Sequence, residues 1–194
     1  MDNTFNTFAD YRRLAQILMT LSNSEVASDI EDLACNLLAT IKSGKRLIVF
    51  GNGGSAAEAS HFAAELVSKC STNHNPWPAI SLSDSSPIIT AIGNDYGFDK
   101  IFLRQLEAHL QDGDLVIGLS TSGTSSNVIK ALEYSAGKGN LTYLLTGSRI
   151  TSTPINGLRL VKAPIVDTPR IQELHLIWIH FLSEYCESEM LRSE

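Results

Sequence analysis

The sequence predicts an α/β protein in which a parallel, doubly wound sheet is covered by helices on both faces. Short apolar runs typical of strands alternate with longer segments of helical period. Two of these strands run directly into loops rich in serine and glycine, residues 51–55 and residues 120–126. Ligands of such sheets bind outside the carboxyl ends of the strands, so both loops are predicted to lie at the binding edge.

Two amphipathic helices are predicted to precede this alternating part, over about residues 5–43. Apolar side chains recur at the helical period over residues 14–21 and again over residues 26–41, and Gly44 suits the end of the second helix. A minimal α/β unit does not contain such helices. We therefore expect them to pack between subunits.

The elements that follow are bounded by glycines, prolines and polar clusters. The predicted strands comprise residues 46–50, 79–82, 114–119, 141–145 and 157–161. The predicted helices comprise residues 56–69, 98–110, 127–136 and a long final helix from about Pro169. Residues 148–156 have the composition of an irregular loop. No repeat or linker divides the chain, so we expect one domain over residues 1–194.

Composition and charge exclude several classes of protein. The net charge is −6 and no basic stripe is present, which argues against a nucleic-acid partner. No apolar run reaches the roughly 18 residues that span a bilayer, and the first residues do not resemble a secretory signal. Cys35, Cys70 and Cys186 form no CxxC pair, which is typical of reduced thiols. The sequence therefore predicts a cytoplasmic protein without a membrane partner.

Both Ser/Gly-rich loops have the composition of an anion site. In residues 51–55 the glycines let the backbone approach a ligand, and the following helix offers free N–H groups and a positive dipole end. A tight strand–helix turn explains this segment equally well. Residues 120–126 carry more hydroxyls than the one that an N-cap needs. Hydroxyls and amides together hold a dianion without a formal cation, so this loop is predicted to bind phosphate.

Polar side chains on otherwise apolar helices form a second candidate site. His61 and Glu65 are four residues apart and share a helical face, where they can bind a metal, form an acid–base pair or simply pair as ions. The final helix is apolar nearly all round except at Gln172, His175 and His180, which indicates burial or an interface. We interpret His175 as a hydrogen-bonded core residue. Gln172 and His180 lie about 12 Å apart along the axis, so they converge through their side chains or serve sites in two subunits.

Five motifs occur in an order that resembles one family. They are Gly-Asn-Gly-Gly-Ser at 51–55, His-Phe-Ala-Ala-Glu at 61–65, Ala-Ile-Gly-Asn-Asp at 91–95, Ser-Thr-Ser-Gly at 120–123 and Arg-Ile-Gln-Glu at 170–173. Together they resemble the phosphoheptose isomerases of the sugar-isomerase (SIS) domain superfamily, over nearly the whole chain. The resemblance implies a flavodoxin-like core, a homotetramer and active sites near subunit boundaries. It also implies conversion of sedoheptulose 7-phosphate to D-glycero-D-manno-heptose 7-phosphate, a heptose precursor for lipopolysaccharide or other glycoconjugates.

The resemblance further implies which residues form the site. It implies one zinc ion per subunit, with the ligands His61, Glu65, Gln172 and His180. It implies substrate contacts at Asn52, Gly53, Gly54, Ser55, Glu65, Asn94, Asp95, Ser120, Thr121, Ser122, Ser125 and Gln172. Moving a carbonyl between C1 and C2 requires a carbon proton to be removed and returned, and the carboxylate of Glu65 suits that step. His180 suits proton transfer at the oxygens, and a zinc ion can be catalytic or structural.

The sequence departs from the family in two places, and other functions stay open. Family members often carry an arginine near the phosphate where this chain has Lys69, which keeps the charge but loses the bidentate fork. Residues 148–151 replace the usual Lys-Asp-Gly-Gly continuation. The alternatives are an isomerase of another sugar phosphate, a non-catalytic adaptor that binds the replication initiator, and a sugar-sensing module of a transcriptional regulator. An adaptor does not need Glu65 and His180, which this chain has.

Overall fold

The computed structural model describes residues 7–21, 25–152 and 155–192. In this part of the chain five parallel strands form one sheet in the order β2-β1-β3-β4-β5. The strands are β1 (Leu47–Gly51), β2 (Ala79–Ser81), β3 (Leu115–Leu119), β4 (Leu141–Thr146) and β5 (Leu158–Lys162). The helices are α1 (Thr7–Leu21), α2 (Glu25–Lys42), α3 (Gly54–Val67), α4 (Ser86–Tyr96), α5 (Leu103–His109), α6 (Ser126–Gly137) and α7 (Thr168–Leu191). The predicted α/β fold is confirmed, and its strand order is that of flavodoxin-like proteins.

The pairing of β1 with β3 at the centre of the sheet positions both predicted loops. The two strands run in register from Leu47 opposite Leu115 to Gly51 opposite Leu119, so they end at the same level. The direction of winding reverses here, because β2 lies on one side of β1 and β3 on the other. Such a switch point opens a crevice at the carboxyl ends of the strands. Residues 52–53 and 120–125 therefore leave the sheet side by side.

Two apolar cores lie on opposite faces of this sheet. All residues of β1 and β3 are buried, as expected for central strands covered on both faces. Side chains alternate along each strand, so Val49 faces the core formed with α2, α3 and α7, and Phe50 faces the core formed with α5 and α6. Helix α1 packs on the first core through half-buried Leu14 and Ile17. None of the helices in the described residues is long and apolar enough to cross a lipid bilayer.

Helices α3 and α7 run side by side in the same direction. Gly54 at the start of α3 faces Gln172, and one turn further Glu58 lies 3.9 Å from His175. At the next turn, Nε2 of His61 lies 2.9 Å from Nε2 of His180. Gln172, His175 and His180 of the final helix therefore all face α3.

A single carboxylate continues this helix pairing beyond the end of α3. Glu187, only 2% exposed, accepts the backbone N–H groups of Cys70 at 2.7 Å, Ser71 at 3.0 Å and Thr72 at 2.9 Å. Hydrogen bonds to a charged group are typically worth about 1.5–3 kcal/mol each. The buried carboxylate compensates its desolvation through these bonds, and it anchors the loop after α3 to α7.

Two predictions about the elements are wrong. Residues 86–96 form α4, which was not predicted, because the polar run before Pro87 has the composition of a loop. Proline is favoured in the first turn of a helix, and here Ser85 occupies the N-cap position. The single helix predicted over residues 98–110 is instead a 3₁₀ turn, Phe98–Lys100, followed by α5. Residues 5 and 6 of the first predicted helix lie outside the described residues.

Candidate active site

The loop after β1 brings the start of α3 to the crevice. Gly53 has φ 57°, a conformation that favours glycine, and it occupies the N-cap position of α3. The next residues, Gly54 and Ser55, form the first turn, in which the Ser55 N–H donates to the carbonyl of Asn52 at 3.0 Å and the Ala56 N–H to that of Gly53 at 3.0 Å. Ser55 is only 4% exposed. The predicted combination of glycines, a helix N-terminus and a serine is present, and it offers donors to an anion.

The loop after β3 places three serine hydroxyls within reach of one another. The Oγ of Ser120 lies 3.1 Å from that of Ser125 and 3.5 Å from that of Ser122. Gly123 has φ 70°, which lets the loop turn back so that these side chains converge. Thr121 takes another direction, since its hydroxyl lies 3.4 Å from that of Thr168 at the start of α7. The serines form one hydroxyl cluster, while Thr121 links the loop to α7.

The middle of α3 and α7 carries a group of potential metal ligands. Nε2 of His61 lies 3.2 Å from Oε1 of Glu65 and 2.9 Å from Nε2 of His180. One ligand atom from each of the three residues lies within 4.8 Å of the other two, and all three side chains are half-buried. The sequence predicted these residues as a set, and the fold brings them together within one chain. Two imidazoles and a carboxylate suit zinc better than magnesium or calcium.

Gln172, the fourth predicted ligand, lies elsewhere on the same helix pair. A Cβ atom added at Gly54 would overlap the Gln172 amide, so the two residues are in close contact at the start of α3. His61 lies seven residues further along α3, about 10 Å at 1.5 Å per residue. In this chain Gln172 therefore lies beside the loop after β1.

Between these two positions lies a buried pair of ionisable residues. His175 is fully buried and Glu58 is 8% exposed, and their closest atoms are 3.9 Å apart. Neither the His175 ring nor the Glu58 carboxylate has a hydrogen-bond partner within the described residues. His175 is a core residue, but its predicted hydrogen bond is absent there. Glu58 was missed because acidic residues in a helix are usually solvated.

The environment of Glu65 also includes a protonated thiol. Burial and a hydrogen bond with the Glu65 carboxylate raise the pKa of Cys70 to about 12. At neutral pH the thiol therefore keeps its proton and can donate a hydrogen bond to the carboxylate. Cys70 itself is held by Glu187 through its backbone N–H.

Three other residues expected near the substrate lie away from the His61, Glu65 and His180 group. Asn94 and Asp95 lie at the end of α4, are exposed, and bond to each other at 2.7 Å. Lys69 is exposed beyond the end of α3, about 20 Å along the helix axis from Ser55. Within one chain the whole length of α3 separates Lys69 from the loop after β1, where the phosphate is expected. Ile150, in the segment 148–151 that departs from the family, packs against Gly123 of the loop after β3 (residues 120–126, here called the hydroxyl loop).

One further residue of the site was missed by sequence reasoning. Asn127, in the first turn of α6, is buried and pairs with Asn52 of the other loop. Its signal in the sequence is only its position directly after the hydroxyl loop.

Comparisons with known proteins agree with this geometry. Residues 10–147 match the SIS domain family. The chain is 44% identical over 173 residues to a phosphoheptose isomerase of Citrifermentans bemidjiense, covering 89% of this chain and 90% of that protein. It is 47% identical over 165 residues to one of Trichlorobacter lovleyi, covering 84% of each.

Solved structures show the same similarity. A phosphoheptose isomerase structure from Neisseria gonorrhoeae superposes with a TM-score of 0.82 at 33% identity, covering 94% of this chain and 95% of that one. A phosphoheptose isomerase structure from Francisella tularensis superposes with a TM-score of 0.87 at 26% identity, covering 97% of this chain and 100% of that one.

The contact between Gly54 and Gln172 gives a testable prediction. We expect Gly54→Ala to fold, because alanine favours a helix, but to displace the Gln172 amide and disturb the loop after β1. The rise in melting temperature caused by inorganic phosphate should fall to less than half of the wild-type value. Gly137→Ala is the matched control, since a Cβ there has no atom within 4 Å. An unchanged phosphate effect in Gly54→Ala would contradict the prediction.

Proposed function

The chain belongs to the phosphoheptose isomerases of the SIS domain family, and from that premise we propose how its residues carry the reaction. It is an aldose–ketose isomerase that converts sedoheptulose 7-phosphate to D-glycero-D-manno-heptose 7-phosphate. The observation that carries our assignment of residues is the pairing of α3 with α7. It sets the His61, Glu65 and His180 group about 10 Å along α3 from the anion-binding loops.

The phosphate is proposed to bind at the crevice between β1 and β3. Its oxygens accept hydrogen bonds from the hydroxyls of Ser55, Ser120, Ser122 and Ser125, and from the backbone N–H of Gly54 at the start of α3. These donors are neutral. The phosphate depends on them because a chain whose net charge is −6 does not attract an anion through its overall charge. The remaining predicted substrate contacts are Asn52, Gly53, Gly54, Thr121, Gln172, Asn94 and Asp95. Asn94 and Asp95 are kept as contacts of the sugar, since they are exposed and polar.

Glu65 is proposed as the base and His180 as the proton carrier at oxygen. Glu65 removes the proton from C1 of the ketose while O2 receives a proton, which gives the enediol. Return of a proton to C2, with loss of the proton from O1, completes the aldose. The half-buried carboxylate is close enough to His61 and Cys70 to be held in place. General acid–base help of this kind typically contributes about 10²–10⁴-fold.

One divalent metal ion per subunit, zinc by the chemistry of the donors, is proposed to bind His61, Glu65 and His180. Bound there, the ion would supply Lewis-acid chemistry that polarises a carbonyl group. Gln172 is kept as a fourth ligand in the proposal, although in this chain its amide lies beside Gly54. The loss of metal affinity in a Gln172→Ala variant, compared with the wild-type protein, measures the contribution of this ligand.

A homotetramer with sites near subunit boundaries is also proposed. The final helix exposes Leu176, Ile177 and Phe181 by 37–43%, beside a groove formed with α1 and α2. An apolar surface of this kind marks an interface between copies. Lys69, which is too far from the loops of its own chain, can reach a phosphate only in a neighbouring subunit.

The metabolic role of the reaction and its compartment are proposed from the product and from the cysteines. The product is a heptose phosphate, so we propose that it supplies heptose for lipopolysaccharide or other glycoconjugates. The three cysteines are free, which suits the cytoplasm. An isomerase of another sugar phosphate and a non-catalytic adaptor are not favoured, since the curated relatives are named phosphoheptose isomerases.

The role of Glu65 is tested by Glu65→Gln. We expect turnover of sedoheptulose 7-phosphate to fall at least about 10²-fold, because the amide cannot accept the carbon proton. Substrate should still bind, since the loop donors are untouched, and deuterium exchange from solvent into substrate should fall with turnover. Glu184→Gln changes an exposed carboxylate on α7 and should retain activity within about twofold. A Glu65→Gln enzyme with wild-type turnover would move the base elsewhere, with His180 or His175 next to be tested.

The metal site is tested by elemental analysis of protein purified without chelators. We expect about one zinc ion per chain, and at least a tenfold lower content in His61→Ala, His180→Ala. His109→Ala, at the end of α5, is the matched control and should retain the metal. Equal metal content in the double variant would place the ion at other residues.

The assembly is tested by sedimentation velocity at micromolar concentration. We expect a species of four times the 21.1 kDa chain mass. Ile177→Asp together with Phe181→Asp should lower that mass, because charges in an apolar interface are costly. A wild-type monomer would overturn the proposal.

A further inference from the structure

A reciprocal pair of side-chain amides joins the two anion-binding loops. Asn52, in the loop after β1, donates from Nδ2 to Oδ1 of Asn127 at 2.9 Å. Asn127, directly after the hydroxyl loop, donates from Nδ2 to Oδ1 of Asn52 at 2.9 Å. Asn127 is 2% exposed and Asn52 is half-buried. The pair therefore lies at the base of the crevice, with Asn52 on its open side.

The backbone of α6 decides how both amides are turned. Oδ1 of Asn127 also accepts the N–H of Val128 at 2.9 Å. An amide NH₂ in that place could not accept a hydrogen bond, so the oxygen of Asn127 must face α6. Its Nδ2 group is then directed to Asn52, whose oxygen must face Asn127 in turn. Helix α6, on the other side of the crevice, thus sets the orientation of the Asn52 amide.

This arrangement leaves a defined donor on Asn52. Each amide carries two N–H bonds, and the reciprocal pair uses one from each residue. The second N–H of Asn52 belongs to the more exposed member of the pair. It is available to an oxygen of the sugar phosphate, with its direction already set before the substrate arrives.

We propose that Asn127 is a positioning residue for substrate binding, which holds the Asn52 amide in its donor orientation and ties the two loops together. The inference rests on the proposed binding of substrate at the loop after β1. Asparagine is a poor helix former, so helix propensity alone does not favour it in α6. Its value at this place is the pair of bonds that it exchanges with Asn52.

A double-mutant cycle on the Michaelis constant tests this role. Asn52→Ala, Asn127→Ala and the double variant are assayed with sedoheptulose 7-phosphate beside the wild-type enzyme. One oriented hydrogen bond corresponds to about a three- to tenfold change in affinity. We expect each single variant to raise KM by about that factor with kcat within about twofold. The double variant should be no worse than either single one, because both changes remove the same donor.

Two further variants separate positioning from stability. Asn127→Asp keeps the shape and the acceptor for Val128 N–H but cannot donate to Asn52, so it should raise KM, and its buried charge should also lower the melting temperature. Asn140→Ala is the matched control. Asn140 is a buried amide that donates to the carbonyls of Gln111 at 2.7 Å and Asp114 at 3.0 Å, at the opposite edge of the sheet. It should lower the melting temperature and leave KM unchanged.

Several results would overturn the proposal. They are an unchanged KM in Asn127→Ala, an effect of Asn127→Ala that persists in full when Asn52 is already alanine, and a rise in KM for Asn140→Ala as large as that for Asn127→Ala. The wild-type enzyme in the same assay reports on the isomerase reaction separately. A failure of the proposed function is therefore distinguishable from a failure of the amide pair.

Discussion

The parallel packing of α3 against α7 is the constraint on which the rest of the site depends. Gly54 has no side chain, so the first turn of α3 comes into contact with Gln172. Two turns later the helices bring His61 to His180. Past the end of α3, Glu187 holds the following loop to the same helix. A rotation of either helix about its axis would separate all of these contacts together.

This packing also buries polar groups that an ordinary helix pair would leave in water. Glu58 and His175 face each other at 3.9 Å in the middle of the interface, without a hydrogen bond to any described residue. Removing one member of a buried ionisable pair is usually costly, because the other is left uncompensated. The pair lies between the Gly54–Gln172 contact and the His61–His180 contact along the two helices.

The proposed phosphate site is built from oriented neutral donors. The chain carries a net charge of −6, and the hydroxyls of Ser122 and Ser125 both lie within 3.5 Å of Ser120 Oγ. Hydroxyls and amide N–H groups bind an anion well only when their directions are set in advance, since each is weak in water. The register of β1 with β3, the positive φ of Gly123 and the Asn52–Asn127 pair all contribute to that preorganisation.

The sequence by itself determined the alternation of strands and helices, both Ser/Gly-rich loops and the spacing that pairs His61 with Glu65, while His180 joined that pair only through the resemblance to a family. Those features depend on residues close together in the chain or on motifs with characteristic spacing. Sequence reasoning did not find α4, because Pro87 and its serines favour a loop as much as a helix start. Only the tertiary structure decided that Gln172 lies beside Gly54, that Lys69 is a helix length away from the loops, and that Asn127 pairs with Asn52. Each of these depends on how separate elements are placed against one another, and local periodicity carries no information about that placement.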